Sequence, residues 1–302
     1  MKILNRFGLP EQYVRAAELN QRKRVKGRIS VTELIGPPQI RYLEGLYDDE
    51  IEIDVHDFLP ILRGQAWHAL LAGFTTAGQL AETTLRIEQD GYTITGTFDV
   101  LDMLELEDHT LTDYKTASIY SVQDGVKSDW ESQVNLYRLL LHRHGVKVDR
   151  LKIVALLDGW MPSRAATDKH YPQSRAITLE VKVWPIEETE RYMAERLRLH
   201  RAAEETGVVP QCTGEERWLR PPSWRVVKKG GKRATRVCSS EASARKELAR
   251  LDPKLEGKYR VDFQWPETAR CDKYCRVSKF CSQKAEWDKK SGKPPNAPDS
   301  ED

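Results

Sequence analysis

Between Gly96 and Tyr137 the chain sets Asp99, Asp113 and Lys115 into segments that otherwise read as short β-strands. Leu101, Met103, Leu104 and Leu106 mark one strand, and the alternation from Thr110 to Lys115 marks the next, with a turn at Glu107-Asp108-His109. Asp99 and Asp113 then stand on adjacent strands, and a period of two puts Lys115 on the face of Asp113. Two carboxylates with a lysine beside them suit phosphodiester hydrolysis. The carboxylates hold a divalent metal against the phosphate, and the lysine stabilises charge or positions the attacking water.

The flanking segments extend this pattern. Residues 64–74 read as a helix with Trp67, Leu70 and Leu71 on one apolar face and His68 beside it. Glu82 precedes a strand at 84–88, and reads either as a third metal carboxylate or as a surface residue. A meander follows, with strands at 85–87, 92–98, 100–106 and 111–115 and a turn at Asp90-Gly91; Gly96 lets backbone or substrate come close. Alternation turns the Tyr114 ring away from the site and into the core. Residues 130–142 form a patterned helix on which Gln133 and Tyr137, four apart, share a face. Strands at 151–157 and 176–183, separated by a polar loop at 160–175, lead into a long charged helix at 186–205.

Asp99 followed by Asp113-x-Lys115 resembles the PD-(D/E)XK nuclease signature, and further motifs resemble its RecB-like exonuclease branch. His68, within Gly64-Gln65-Ala66-Trp67-His68-Ala69-Leu70-Leu71, is similar to the upstream histidine of that branch. Gly96-x-x-Asp99 is similar to its first metal carboxylate, and Gln133-Val134-Asn135-Leu136-Tyr137 to its QxxxY helix. The resemblance spans roughly residues 30–285 and implies an α/β fold with a central mixed sheet flanked by helices. It also implies Mg²⁺ or Mn²⁺ on Asp99, Asp113 and the Tyr114 carbonyl, with Glu82 as a further candidate ligand. Lys115 would orient or activate water, with His68 near metal and phosphate and Gln133 and Tyr137 supporting the site.

All five cysteines follow residue 211, an odd number in an uneven distribution, which points away from a secreted disulfide framework and towards a reducing, cytoplasmic setting with a local metal site. Cys271-x3-Cys275-x5-Cys281 with Cys212 offers four thiolates, for a [4Fe–4S] cluster or for tetrahedral zinc. The trio resembles the iron–sulfur staple of RecB-like nucleases, including AddB and CRISPR-associated adaptation exonucleases. It departs from them in its first spacing, three residues where two are usual, and in having its lone cysteine after the nuclease core. Cys238 reads as an ordinary buried thiol, and as the substitute ligand should Cys212 not serve.

A net charge of +2 indicates no partner by itself, but from Arg217 to Arg236 eight basic residues occur with no acidic one. This run is either a solvated face or a grip on nucleic acid. A hairpin at 224–237 would carry Lys228, Lys229, Lys232 and Arg233 at its turn, held beside the active site by the thiol-bound metal. Trp218 and Trp224 flank the start of the run, as aromatics that stack bases of single strands. The expected organisation is a basic helical segment at 1–45, a nuclease core at 46–206, a cysteine and hairpin region at 207–285 and a disordered tail at 286–302. The expected activity is exonucleolytic cleavage of DNA ends or single strands, in recombination, repair, phage or CRISPR settings with their partner proteins. A structure-specific endonuclease, or a DNA-binding assembly factor on the same fold, is the alternative. No Walker-type loop occurs, so any ATP-driven unwinding would come from elsewhere.

Overall fold

The computed structural model describes residues 1–21, 24–104, 108–251 and 257–291. It divides into two compact units, residues 1–209 and 210–302. In the first unit the strands are β1 (Lys2–Leu4), β2 (Arg28–Ser30), β3 (Glu52–Asp54), β4 (Gln79–Gln89), β5 (Tyr92–Asp102), β6 (Thr110–Ser118), β7 (Arg150–Asp158) and β8 (Ala176–Val181). Its helices are α1 (Glu11–Leu19), α2 (Val31–Ile35), α3 (Pro38–Leu46), α4 (Val55–Ala72), α5 (Ser128–Arg143), α6 (Pro162–Ala165) and α7 (Ile186–Thr206).

The main sheet is mixed, in the order β2-β5-β6-β7-β8, with β4 also paired to β5. β2 and β5 run parallel, as do β6 and β7; the β4–β5, β5–β6 and β7–β8 pairs are antiparallel. Alternation explains β7, where Leu151, Ile153, Ala155 and Leu157 are buried and the residues between them are not. The parallel β6–β7 pair needs a crossover, and α5 supplies it. Val134, Leu136, Leu139 and Leu140 of α5 are buried in the core that the sheet shares with Met193 and Leu197 of α7.

One strand has an unusual neighbourhood. β4 pairs with β5 along its length, from Gln89↔Tyr92 to Gln79↔Asp102. β2 and β6 therefore share the other edge: β2 pairs up to Ser30↔Thr95, and β6 begins at Val100↔Thr112. Residues 96–99 lie between these two pairings, where β5 and β6 fork. Asp99 stands in the fork, and Asp113 and Lys115 stand on β6 just beyond its opening.

Residues 1–45 are built into this unit. β1 pairs with β3 and β2 with β5, and Ser30 caps α2 through a reciprocal capping box with Glu33. The buried Arg41 guanidinium pairs with Glu204 of α7, whose other oxygen accepts from Tyr92 Oη at 2.5 Å. α4 begins nine residues before the helix expected at 64–74. Asp54 caps it, accepting from His56 N at 2.9 Å, and Val55 and Phe58 anchor its first turn in the core. The strands expected at 92–98 and 100–106 are one strand, β5, which ends at Asp102; residues 105–107, the end of the second expected strand and the first residue of the expected turn, lie outside the described residues. The 160–175 segment contains α6 and is pinned by Tyr171, which is buried and accepts from Met161 N at 2.9 Å.

His200 of α7 is 1% exposed, with Nε2 3.1 Å from Leu34 O, and burial pulls its pKa from 6.5 down to about 4. A depressed histidine means that the unfolded chain takes up a proton that the folded chain refuses. Its contribution to stability is complete above pH 6.5 and is lost as pH falls towards 4. Unfolding titrations across that window are expected to show a loss of up to roughly 3 kcal/mol, and His200→Gln is expected to flatten the slope.

The second unit contains β9 (Leu219–Arg220), β10 (Ser223–Lys228), β11 (Ala234–Cys238), α8 (Glu241–Arg250), β12 (Tyr259–Gln264), β13 (Glu267–Thr268), α9 (Ala269–Lys273) and α10 (Ser282–Lys290). β10 is central in an antiparallel sheet of order β11-β10-β12, and β9 pairs with β13. Val226, Cys238 and Ala244 form a small core under α8. The expected hairpin is thus β10–β11, joined by β12 and α8, which the sequence pattern does not announce. α10 runs through Lys290; from residue 292 the expected disordered tail lies outside the described residues. Among the described residues no helix is long and apolar enough to cross a membrane.

Candidate functional site

At the fork, ligand atoms of His68, Glu82 and Asp99 all lie within 4.8 Å of one another. His68 comes from α4, Glu82 from β4 and Asp99 from β5. His68 Nδ1 is 3.1 Å from Asp99 Oδ1 and 3.5 Å from Glu82 Oε1. The other Asp99 oxygen accepts from the N–H of Tyr114 at 2.6 Å, which ties β5 to β6 where the ladder has opened. Glu82 lies within β4, not ahead of a strand, and its φ is +45°. Non-glycine residues in that region cost of the order of 1–3 kcal/mol each and cluster at functional sites.

Asp113 is 2% exposed, and Lys115 Nζ approaches its Oδ2 at 2.6 Å. The lysine's charge and its hydrogen bond both favour the ionised Asp113 carboxyl. The lysine is also steered from α5. Its Nζ donates to Gln133 Oε1 at 2.8 Å, and Gln133 Nε2 donates to Tyr137 Oη at 2.8 Å. Gln133 and Tyr137 share a helix face, as their spacing predicts, and both are buried.

The electrostatics are those of negative groups crowded together with few cations. The hydrogen bond to Asp99 raises the pKa of His68, against desolvation. Desolvation and the Asp99 charge raise Glu82. Burial, helped by Asp99 and opposed by Lys115, pushes Asp113 up to about 6. Carboxylates raised by burial and like charge, beside the converging oxygens and nitrogen of Glu82, Asp99 and His68, fit a divalent cation. The set that converges is not quite the one expected. His68 joins Glu82 and Asp99 in the close triad, while Asp113 is held against Lys115. The Tyr114 ring is half-buried, its centroid 6.4 Å from that of His68 in an edge contact, so it borders the site instead of entering the core.

Gly96 lies in the fork beside the helix that holds the lysine. A Cβ here would come within 2.9 Å of two Tyr137 ring carbons and 3.1 Å of Leu140 Cδ2. Gly96→Ala is expected to destabilise the fold by about 1–3 kcal/mol through overpacking, measured by denaturant unfolding. It is also expected to push Tyr137 off Gln133.

In the second unit, Gln283 holds the Cys212 backbone at both ends, accepting from its N–H at 2.9 Å and donating to its carbonyl at 2.8 Å. This clasp brings Cys212 to α10, whose N-cap is Cys281. Burial, then the charges of Glu216, Cys271, Cys281 and Cys275, push the Cys212 thiol up to about 12. Burial likewise raises Cys271 and Cys275. The cysteine charges that add to these shifts bring Cys212, Cys271, Cys275 and Cys281 into one neighbourhood of the second unit. Cys238 belongs to the separate core under α8, as an ordinary thiol would.

The basic residues Lys228, Lys229, Lys232 and Arg233 are exposed at the β10–β11 turn. Trp224 differs from the expectation: it meets Phe263 edge-on at 5.1 Å and packs against the core under α8. Trp218 is the open one of the two, 49% exposed, with φ +52°.

No family model and no curated protein matches this sequence. Among solved structures, the crystal structure of SSO0001 is similar to this chain at 16% identity and a TM-score of 0.43, covering 61% of this chain and 81% of that one. A likeness at that level carries no argument about family or chemistry.

Proposed function

We propose that this chain is a divalent-metal-dependent deoxyribonuclease on a PD-(D/E)XK core of the RecB-like kind, acting on DNA ends or single strands. The observation that carries this is the convergence of His68, Glu82 and Asp99 within 4.8 Å, at the fork from which Asp113 and Lys115 project. Asp99, Asp113 and Glu82, with the Tyr114 carbonyl as a further oxygen, would hold Mg²⁺ or Mn²⁺. The bound metal supplies charge stabilisation and a more acidic water. Lys115 would orient the attacking water, and Gln133 and Tyr137 fix the lysine's direction through their hydrogen-bonded chain. His68, 3.1 Å from Asp99 and 3.5 Å from Glu82, would lie beside the bound metal and its phosphate. The four thiols hold a structural [4Fe–4S] cluster, with zinc as the alternative, and the exposed lysines of the β10–β11 turn contact phosphates. A cell interior, in recombination, repair, phage or CRISPR DNA processing with partner proteins, is the setting proposed.

A nuclease assay tests this on 5′- and 3′-labelled single strands and on a covalently closed circle, with Mg²⁺ or Mn²⁺. Loss of linear strands but not of the circle, abolished by Asp113→Ala, is the expected outcome and reveals the polarity. Cutting of the circle identifies a structure-specific endonuclease on the same site. DNA bound but cut in neither form identifies an assembly factor.

A further inference from the structure

Three described non-glycine residues have left-handed backbones: Asp90, Glu82 and Trp218. Asp90 sits in the Asp-Gly turn between β4 and β5, where that conformation is ordinary. Glu82 belongs to the candidate metal site. Trp218 is a bulky residue for which this region is a true outlier, and it is held there firmly. Its N–H donates to Glu215 O at 2.9 Å, and its carbonyl accepts from Ala269 N at 3.4 Å. On either side, Arg270 N donates to Arg217 O at 3.2 Å and Leu219 N to Gly214 O at 2.8 Å. The strained backbone presents the indole to solvent, 49% exposed, beside the ring of Tyr274, 66% exposed. Their centroids are 5.3 Å apart and the rings are tilted by 59°.

Cations frame the pair. The Arg270 guanidinium lies 5.6 Å from the Trp218 ring centroid and donates to Glu216 O at 3.1 Å, which fixes its direction. Arg217, next in sequence, stacks its guanidinium 5.1 Å from the Trp287 ring. Tyr274 is itself oriented by its N–H donating to Arg270 O at 2.9 Å. Two exposed aromatic rings on a firmly hydrogen-bonded backbone, beside arginines, suit one occupant above others, because nucleobases stack on aromatics while phosphates meet the cations. A duplex hides its base faces; a single strand offers them.

We propose that Trp218 and Tyr274 form a base-stacking site for single-stranded nucleic acid, with Arg270 and Arg217 as its cationic border. The site gives the nuclease reading a place where the strand is gripped, and rests on that reading only for the choice of polymer. It is tested without cleavage.

The full-length Asp99→Asn protein, without added metal, is titrated into labelled oligothymidylate and into a labelled blunt duplex, with anisotropy as the readout. Oligothymidylate is expected to bind more tightly than the duplex. Trp218→Gly or Tyr274→Ala on this background is expected to weaken that binding at least about tenfold, and Trp218→Phe to restore it to within about threefold. Glycine relieves the left-handed strain, so the thermal midpoint of the Trp218→Gly protein is expected to be unchanged or raised. Failure of the parent protein to bind oligothymidylate overturns the proposal, as does equal binding by all the variants. Retained binding with no cleavage by the wild-type protein under any metal overturns the nuclease reading and leaves this site standing.

Discussion

Asp99→Asn is expected to lower the proposed metal-dependent cleavage about a hundred- to a thousandfold, the scale on which removing one electrostatic contact at a reacting centre acts. The substitution exchanges one carboxylate oxygen for an amide and leaves the volume unchanged. The remaining oxygen still accepts from Tyr114 N, and the new amide faces His68 Nδ1, so β5 and β6 stay tied across the fork. What is lost is the negative charge at the centre of the His68–Glu82–Asp99 group. The thermal midpoint is therefore expected to hold while activity falls. A drop in both would assign Asp99 to the fold instead of the chemistry.

Cys271→Ser is expected to unfold the second unit and leave the first intact. Among the described residues the small core there is Val226, Cys238 and Ala244 with partly buried neighbours such as Trp224 and Leu248, far smaller than the apolar core around α5 and β7. α9 and the segment leading to Cys281 lie outside that small core. On the proposed reading, in which the four thiols share a structural metal, its binding free energy, roughly 10–16 kcal/mol for zinc, becomes the folding energy of this segment. Calorimetry of the wild type is expected to show two transitions, of which the substitution or a strong chelator removes one. Broad visible absorbance lost with that transition identifies iron–sulfur; colourless protein releasing zinc identifies the alternative. A single transition untouched by either treatment would mean four ordinary buried thiols.

Much of the first unit was legible because its signals are local. Leu151, Ile153, Ala155 and Leu157 alternate, and the α5 residues from Trp130 to Leu140 repeat with helical period, so both elements read correctly to within two residues. The spacing of Gln133 and Tyr137 likewise fixed their shared face. The misreadings have tertiary causes. The start of α4 depends on Asp54, which caps the helix and also accepts from Arg6 N at 2.9 Å, a contact 48 residues away in sequence. No periodicity signals that Glu82 takes a left-handed backbone inside a strand and so meets His68. β12 and α8 carry no clear sequence pattern, because their half-exposed residues contribute to the core only once β10 lies beside them. Gln283, which clasps Cys212 to α10, carries no signal in sequence at all.

The most direct measurement is Mn²⁺ binding, followed by electron paramagnetic resonance, to the wild-type, Asp99→Asn and Asp113→Asn proteins in the absence of DNA. The expected result is a saturable site on the wild type that is lost or greatly weakened in Asp99→Asn and weakened in Asp113→Asn. Equal binding by all three proteins, or no saturable binding by any, would contradict a metal centre at the fork and remove the basis for metal-dependent hydrolysis there.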